Sequence, residues 1–289
     1  LLKCKKGGII MSMFCFQCEQ RGRGKLGNNI VDGCTVCGVC GKKEDTANLQ
    51  DEVISSLIEL SKTKPNDETT LKIIEGLFTT ITNANFDNES LKTMIKNPEY
   101  DMNKIWQGNE DVRSLKSLIL FGLKGMAAYA HHAWVLGYKD ETVNNFFYEG
   151  LSALEKDLST DELIALVLKT GEVNFKCMEM LDRANTETYG NPEPTKVTKN
   201  IEAKPFIVIT GHDLHDLKML LEQTKDKGIN IYTHGEMLPA LAYPELKKYE
   251  HLKGNFGTAW QNQCVEFDNI PAPILFTTNC IMPVKDSYK

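Results

Sequence analysis

The sequence predicts a mixed fold: an all-α helical bundle carrying a cysteine-rich loop at its N-terminal end, then a truncated α/β domain on a parallel, Rossmann-like sheet. Three observations predict it. Five of the nine cysteines fall between Cys15 and Cys40. From about Asp45 to Ala184 the apolar residues recur at helical spacing. After a polar, Pro-containing segment, short β-branched runs alternate with amphipathic stretches, the pattern of strands buried on both faces.

Residues 1–12 read poorly as protein. Lys3, Lys5 and Lys6 precede a short apolar piece that Ser12 interrupts, without the long apolar centre and cleavage site of a signal peptide. Lys6-Gly7-Gly8 ahead of Met11 and Met13 is what a purine-rich ribosome-binding site would give if translated. Translation is therefore expected to start at Met13 or Met11, with residues 1–12 artefactual.

Residues 13–43 are rich in Cys and Gly and read as a loop wrapped around a metal centre. Residues 44–184 read as the helical domain. Leu49, Val53, Leu57 and Leu60 share one helix face, and Ile54 and Ile58 widen it. Further helices are expected over Glu68–Thr82, Val112–Leu136, Glu141–Leu158 and Thr160–Ala184, with Asp101 and Asp140 as caps and Thr160, followed by Glu162, leading the last. Gly190, Pro192 and Pro194 mark residues 185–204 as a linker. Residues 205–289 follow as strands Phe206–Thr210, Ile229–Thr233 and Pro273–Thr278, with a helix around Asp213–Lys225. The chain stops where another helix is expected, so this domain reads as partial.

A length of 289 residues suits about two domains. A net charge of −6, with no local basic patch, argues against a nucleic-acid surface. No apolar stretch approaches the roughly 18 residues of a spanning helix. Clustered cysteines without a secretory signal bind metal more readily than they form disulfides, so a cytoplasmic protein is expected.

Cys15-Phe-Gln-Cys18 and Cys34-Thr-Val-Cys37-Gly-Val-Cys40 carry the first chemistry. Thiolates two residues apart on a turn can share one metal centre. Gly33, Gly38 and Gly41 are expected to bring backbone amides close to the sulfurs. Spacing alone leaves the metal open, because Cys15/Cys18 with Cys34/Cys37 also fits a zinc ribbon.

A second constellation lies at the strand ends. His212 follows the first strand, Glu236 the second and Cys280 the third. In an open parallel sheet the carboxyl ends of the strands form the ligand-binding crevice. Imidazole, carboxylate and thiolate together suit iron with sulfide and oxygen ligands better than a plain cubane. By position, His215 and His234 compete with His212, and Asp213 or Asp216 with Glu236. Elsewhere, His131 and His132, beside Tyr129 and Trp134, read as packing residues, Cys177 as core and Cys264 as a bystander. Asp213 reads as a helix cap before a partner for a ligating histidine, and Trp260 as a core aromatic before a cavity wall.

Both cysteine motifs, together with Gly122-Leu-Lys-Gly-Met-Ala-Ala-Tyr-Ala-His-His-Ala133, Gly211-His-Asp-Leu214, Tyr232-Thr-His-Gly-Glu-Met-Leu-Pro239, Ala259-Trp-Gln-Asn-Gln263 and Thr277-Thr-Asn-Cys280, resemble the hybrid-cluster protein (hydroxylamine reductase, prismane) family. The resemblance runs from Met13 to the last residues and covers the N-terminal half of such proteins. It implies a 4Fe–4S cluster on Cys15, Cys18, Cys34 and Cys40, and a hybrid 4Fe–2O–2S cluster whose first three ligands are His212, Glu236 and Cys280. It also implies reduction of hydroxylamine to ammonia, or of nitric oxide, with electrons from a partner redox protein.

Two departures qualify this. Cys37 stands where relatives usually lack a cysteine; some relatives carry a 2Fe–2S centre with wider spacing before the last Cys, and the gap from Cys34 to Cys40 is more like the cubane type. The remaining hybrid-cluster ligands lie downstream of this chain, so the fragment alone is expected to be inactive. The rival readings are a zinc-ribbon interaction protein, which needs Cys37 as a ligand, and a carbon monoxide dehydrogenase-like redox enzyme, against which an oxygen ligand at Glu236 speaks.

Overall fold

The structure is a computed structural model that describes residues 13–26, 29–106 and 109–288. It divides into two compact units, the first ending at Leu181 and the second beginning at Asp182. The class is mixed as expected: helices dominate the first unit, and a small parallel sheet organises the second.

In the first unit the segment expected as loop contains an antiparallel hairpin, β1 (Arg23–Leu26) with β2 (Asn29–Asp32). Strands of four residues are too short to display a readable alternation. Helix α1 (Glu44–Leu60) buries Val53, Ile54, Leu57 and Ile58, the stripe its periodicity predicts. Helix α2 (Asp67–Thr79) starts where the Asn66 side chain accepts the Thr69 N–H at 3.0 Å. It ends three residues before the expected Thr82, where the Thr80 hydroxyl turns back to the Leu77 carbonyl at 2.8 Å. The short helices α3 (Asn88–Met94) and α4 (Asn103–Trp106) were not expected, since one or two turns carry too few apolar repeats to be seen.

Helix α5 (Glu110–Val135) is capped by Asn109, whose side chain accepts the Asp111 N–H at 3.0 Å. The expected cap Asp101 instead precedes α4, where its carbonyl accepts the Lys104 N–H at 2.9 Å. Helix α6 (Glu141–Glu155) is capped as expected by Asp140, which accepts from Thr142 and Val143 N–H at 2.8 and 3.1 Å. Asp140→Ala is expected to cost about 1 kcal/mol of stability, measured as a fall in denaturant midpoint; an unchanged midpoint would refute the cap's contribution.

Helix α7 (Thr160–Tyr189) begins at Thr160 as expected, with Ser159 just before it as the capping residue. Ser159 N–H donates to the Glu162 carboxylate at 2.8 Å, and the Ser159 hydroxyl lies 3.4 Å from the Glu162 N–H, a reciprocal capping box. The helix continues past Ala184 to Tyr189, into the segment expected as linker.

The second unit runs β3 (Phe206–Thr210), α8 (Leu214–Thr224), β4 (Asn230–His234), a 3-10 turn Gly235–Ala242, α9 (Pro244–Lys247) and β5 (Leu252–Phe256). A second 3-10 turn Trp260–Asn262, α10 (Gln263–Glu266) and β6 (Ile274–Phe276) complete it. The four strands are parallel in the order β5-β4-β3-β6. Strand β5 was not expected: Lys253, Gly254 and Asn255 interrupt its apolar run, as an edge strand allows. Strand β4 lies one residue later than the expected Ile229–Thr233, and so takes in His234.

Val208, Phe267, Ile270 and Ala272 are buried together, and Phe206, Phe256, Ile274, Phe276 and Tyr288 pack around them. Because β3 lies between β4 and β6, the residues that follow these three strands emerge side by side at the carboxyl edge of the sheet.

Candidate metal centres

Cys15 and Cys34 face each other across an antiparallel bridge. The Cys15 N–H donates to the Cys34 carbonyl at 3.0 Å, and the Cys34 N–H to the Cys15 carbonyl at 2.8 Å. The hairpin β1–β2 returns the chain so that these turns meet. Burial raises the Cys40 thiol pKa; Lys42 works against it, and Cys15 and Cys18 add to the rise, so these sulfurs share one electrostatic neighbourhood. Cys37 is exposed, between exposed Val36 and Val39.

The amides expected near sulfur are used elsewhere. Gly33, Gly38 and Gly41 donate to the carbonyls of Gly22, Lys42 and Gly38 at 3.0, 2.7 and 2.9 Å. It is Gly22 whose N–H reaches a sulfur, Cys34 Sγ at 3.2 Å. Backbone turn closure takes the glycine amides first, because an unpaired buried N–H is costly.

Sequence reasoning missed the floor of this site. Lys42 and Lys124 are buried, 2% and 6% exposed. They line a small cavity with Cys15, Gln17, Gln50 and Asp51. Lys124 Nζ donates to the Thr80 carbonyl at 3.2 Å and lies 3.3 Å from Gln17 Oε1; Lys42 Nζ donates to Gln50 Oε1. Burial, then the like charge of Lys42, brings Lys124 down to about 8, against the pull of Asp51 and Cys15. Burial pushes Asp51 up to about 6, against Lys124 and Lys42. One signal was available: Lys124 is the lone charge in the run from Ser117 to Ala130.

In the second unit, His212 Nε2 and Cys280 Sγ stand 3.1 Å apart although 68 residues separate them. Gly211, with φ +106°, turns the chain out of β3, and Cys280 itself takes φ +58°. The His212 N–H donates to Thr278 Oγ1 at 3.2 Å. Thr277 donates to the Thr210 carbonyl through both its N–H and its hydroxyl, each at 3.0 Å. Burial lowers the His212 pKa and pushes the Cys280 thiol up to about 12. Glu236, in the first turn of the 3-10 segment after β4, is exposed, and its charge acts on both groups.

The competitors fall into other roles. His234 is fully buried, with Nδ1 3.2 Å from Thr210 Oγ1 and Nε2 2.8 Å from Glu266 Oε2, so both ring nitrogens are engaged. Asp213 caps α8, its Oδ1 accepting the His215 and Asp216 N–H at 2.8 and 3.1 Å. Among the described residues, Asp213, His215 and Asp216 are also the one trio whose ligand atoms all lie within 4.8 Å of one another. The cysteine set and the His212, Glu236 and Cys280 set do not converge to that distance among the described residues. Cys177 is fully buried in the helical unit, and half-buried Trp260 opens the second 3-10 turn. His131 and His132 pack against Phe78 with ring centroids at 5.1 and 5.5 Å.

A model of the Prismane/CO dehydrogenase family matches residues 13–289. The chain belongs to that family. Among relatives of this Prismane-family chain, the hydroxylamine reductase of Halothermothrix orenii is 45% identical over 332 aligned positions, covering 96% of this chain and 59% of that protein. The hydroxylamine reductase of Methanocella arvoryzae is 44% identical over 330 positions, with coverage of 96% and 59%. That of Desulfitobacterium hafniense is 45% identical over 327, with coverage of 96% and 58%. The Prismane-family chain thus spans a little under three fifths of the length of these curated relatives.

Among solved structures, a Ni-free carbon monoxide dehydrogenase from Thermococcus sp. AM4 aligns with a TM-score of 0.37 and 17% identity, covering 94% of this chain and 47% of that one. A likeness of that size carries no argument. Prismane-family proteins carry iron–sulfur clusters, and the donors gathered at both sites of this chain, thiol, imidazole and carboxylate, suit such groups. Among the described residues, no helix is long and apolar enough to cross a membrane.

Proposed function

We propose that this chain belongs to a cytoplasmic oxidoreductase that reduces hydroxylamine to ammonia at a hybrid iron–sulfur–oxygen cluster, with nitric oxide as an alternative substrate. One observation carries the reading: His212 Nε2 meets Cys280 Sγ at 3.1 Å, with the Glu236 charge acting on both. A shared metal would give an imidazole and a thiol from two loops a common reason to meet at the edge of a sheet.

In this reading Cys15, Cys18, Cys34 and Cys40 would hold a 4Fe–4S cluster, which would supply electron transfer from a partner redox protein. His212, Glu236 and Cys280 would hold one side of the hybrid cluster. That group would supply redox and Lewis-acid chemistry, with two electrons and two protons converting hydroxylamine into ammonia and water. The chain's own residues orient that centre. The His212 main chain is tied to Thr278, and the Cys280 thiol gives up its proton on binding metal. The exposure of Cys37 supports Cys40 as the fourth cubane ligand over a zinc ribbon.

Anaerobic reconstitution of a protein of the relatives' full length tests this. Cys280→Ser is expected to lose the hybrid-cluster iron and at least about 100-fold of hydroxylamine turnover with a chemical reductant, while keeping the cubane signal; Cys18→Ser should do the reverse for the cubane. A colourless protein holding zinc, or full iron content in Cys280→Ser, would refute the assignment.

A further inference from the structure

We infer that Gln263 is the positioning residue that holds the Cys280 thiol against His212, an inference that rests on the proposed role of those two side chains. Gln263 is fully buried in the short helix α10, and its amide is saturated. Nε2 donates to the Cys280 carbonyl at 2.9 Å and to Thr210 Oγ1 at 3.1 Å, while Oε1 accepts the Met282 N–H at 2.8 Å. The opposite amide orientation would set N–H against the Met282 N–H and oxygen against the Cys280 carbonyl, so the network leaves one orientation.

The main chain is thus gripped from the carbonyl of Cys280 to the amide two positions on, just after a residue with φ +58°, a conformation that side chains other than glycine rarely adopt. Cys280 has no strand bond or glycine to keep it there. Released toward a negative φ, its Cα–Cβ bond would swing and carry Sγ away from His212 Nε2. The same amide reaches Thr210, the last residue of β3 and two before His212. One side chain therefore spans the two loops whose separation sets the 3.1 Å contact. The Tyr288 hydroxyl holds α10 in turn, donating to the Gln263 carbonyl at 3.2 Å. Glutamate at this position would keep the acceptor and lose the donors; leucine would keep the volume and lose both.

The test uses the metal-free chain and two variants, Gln263→Leu and Gln263→Glu. Amide hydrogen exchange is read at Met282, and maleimide labelling is read at Cys280 by peptide mass spectrometry. The sheet amides of Val208 and Ile231, which donate to Pro273 and His251 at 3.1 and 2.8 Å, report whether the unit stays folded.

Gln263→Leu is expected to speed both Met282 exchange and Cys280 labelling by about tenfold, with the sheet amides within about twofold of wild type. Gln263→Glu is expected to split the two: Met282 stays protected by the carboxylate, while Cys280 labels fast. A purely structural role would not produce that split. Cys280 labelling near the wild-type rate in both variants would overturn the inference, as would loss of sheet protection in both. Because no metal is involved, these outcomes are independent of the cluster assignment. Full iron content in Cys280→Ser would defeat that assignment and leave the clamp standing.

Discussion

Replacing Gly211 with alanine is expected to unfold the sheet-bearing unit under conditions where wild type is stable. At φ +106° a Cβ is strongly disfavoured, and an alanine Cβ here would lie 2.2 Å from Thr277 Oγ1 and 2.9 Å from the Thr278 main-chain nitrogen. The threonine cannot simply step aside. Its Oγ1 donates to the Thr210 carbonyl at 3.0 Å and stands 3.4 Å from the Asp213 main-chain nitrogen, so moving it gives up both contacts and leaves the Thr277 N–H as that residue's bond to Thr210. The positive φ costs about 1–2 kcal/mol for an L residue, and forced overpacking about 1–3 kcal/mol more. The total, on the order of 4 kcal/mol, is a large part of the stability of a unit this size. Gly125→Ala is the control: no atom would lie within 4 Å of the added Cβ, and alanine in mid-helix gains roughly 1 kcal/mol over glycine. Amide protection at Val208 and Ile231, measured for both variants, decides it. Wild-type protection in Gly211→Ala would show that the turn can relax and that the close approach is not required.

If the N-terminal cysteines hold the proposed cluster, replacing Lys124 with methionine is expected to lower its reduction potential, because a buried positive charge favours the reduced, more negative state. At an effective dielectric of about 20, a unit charge several ångströms away is worth ~1–4 kcal/mol, which for one electron is tens of millivolts to more than ~100 mV. Redox titration of the reconstituted chain, followed by its paramagnetic signal, reads the shift, with Lys124→Arg as the charge-retaining comparison. Equal potentials in the methionine and arginine variants would exclude the cation as the cause.

The same floor shapes the pH dependence of the metal-free chain. The folded pKa of Asp51, about 6, lies above the ordinary carboxylate value of 3.8, so the folded state binds more protons between those values. Its contribution to stability is full below about pH 4 and is lost as pH rises through about 6. Lys124 has a folded pKa of about 8, below the ordinary 10.5, so it disfavours the fold below pH 8 and ceases to do so as pH rises towards 10.5. Between about pH 6 and 8 both groups are charged and both oppose folding. Denaturant midpoints from about pH 4 to 6 should therefore fall more steeply in wild type than in Asp51→Asn; equal slopes would remove Asp51 from the account.

Much of this molecule was legible in its residues. The α1 stripe, the Asp140 cap, the β3 run and the positions of His212 and Cys280 beyond strand ends follow from local rules, since helix and strand periods are set by backbone geometry within a few residues. Elements without such a signature were hidden. Strand β5 has Lys253, Gly254 and Asn255 where a buried strand has apolar residues, and α4 is a single turn. Gln263 looked like one amide in a motif, because its importance lies in partners 17 and 53 residues away.

By itself, the order of residues determined which donors exist and near which element each would stand: thiols on two turns, and an imidazole, a carboxylate and a thiol after successive strands. Only the folded chain decided which of them meet. It engaged both nitrogens of His234, turned Cys37 to solvent, put Lys42 and Lys124 beneath Cys15, and brought His212 to Cys280. The reason is that local conformation depends on neighbours along the chain, whereas contact between distant loops depends on strand order and register, set by packing throughout the unit.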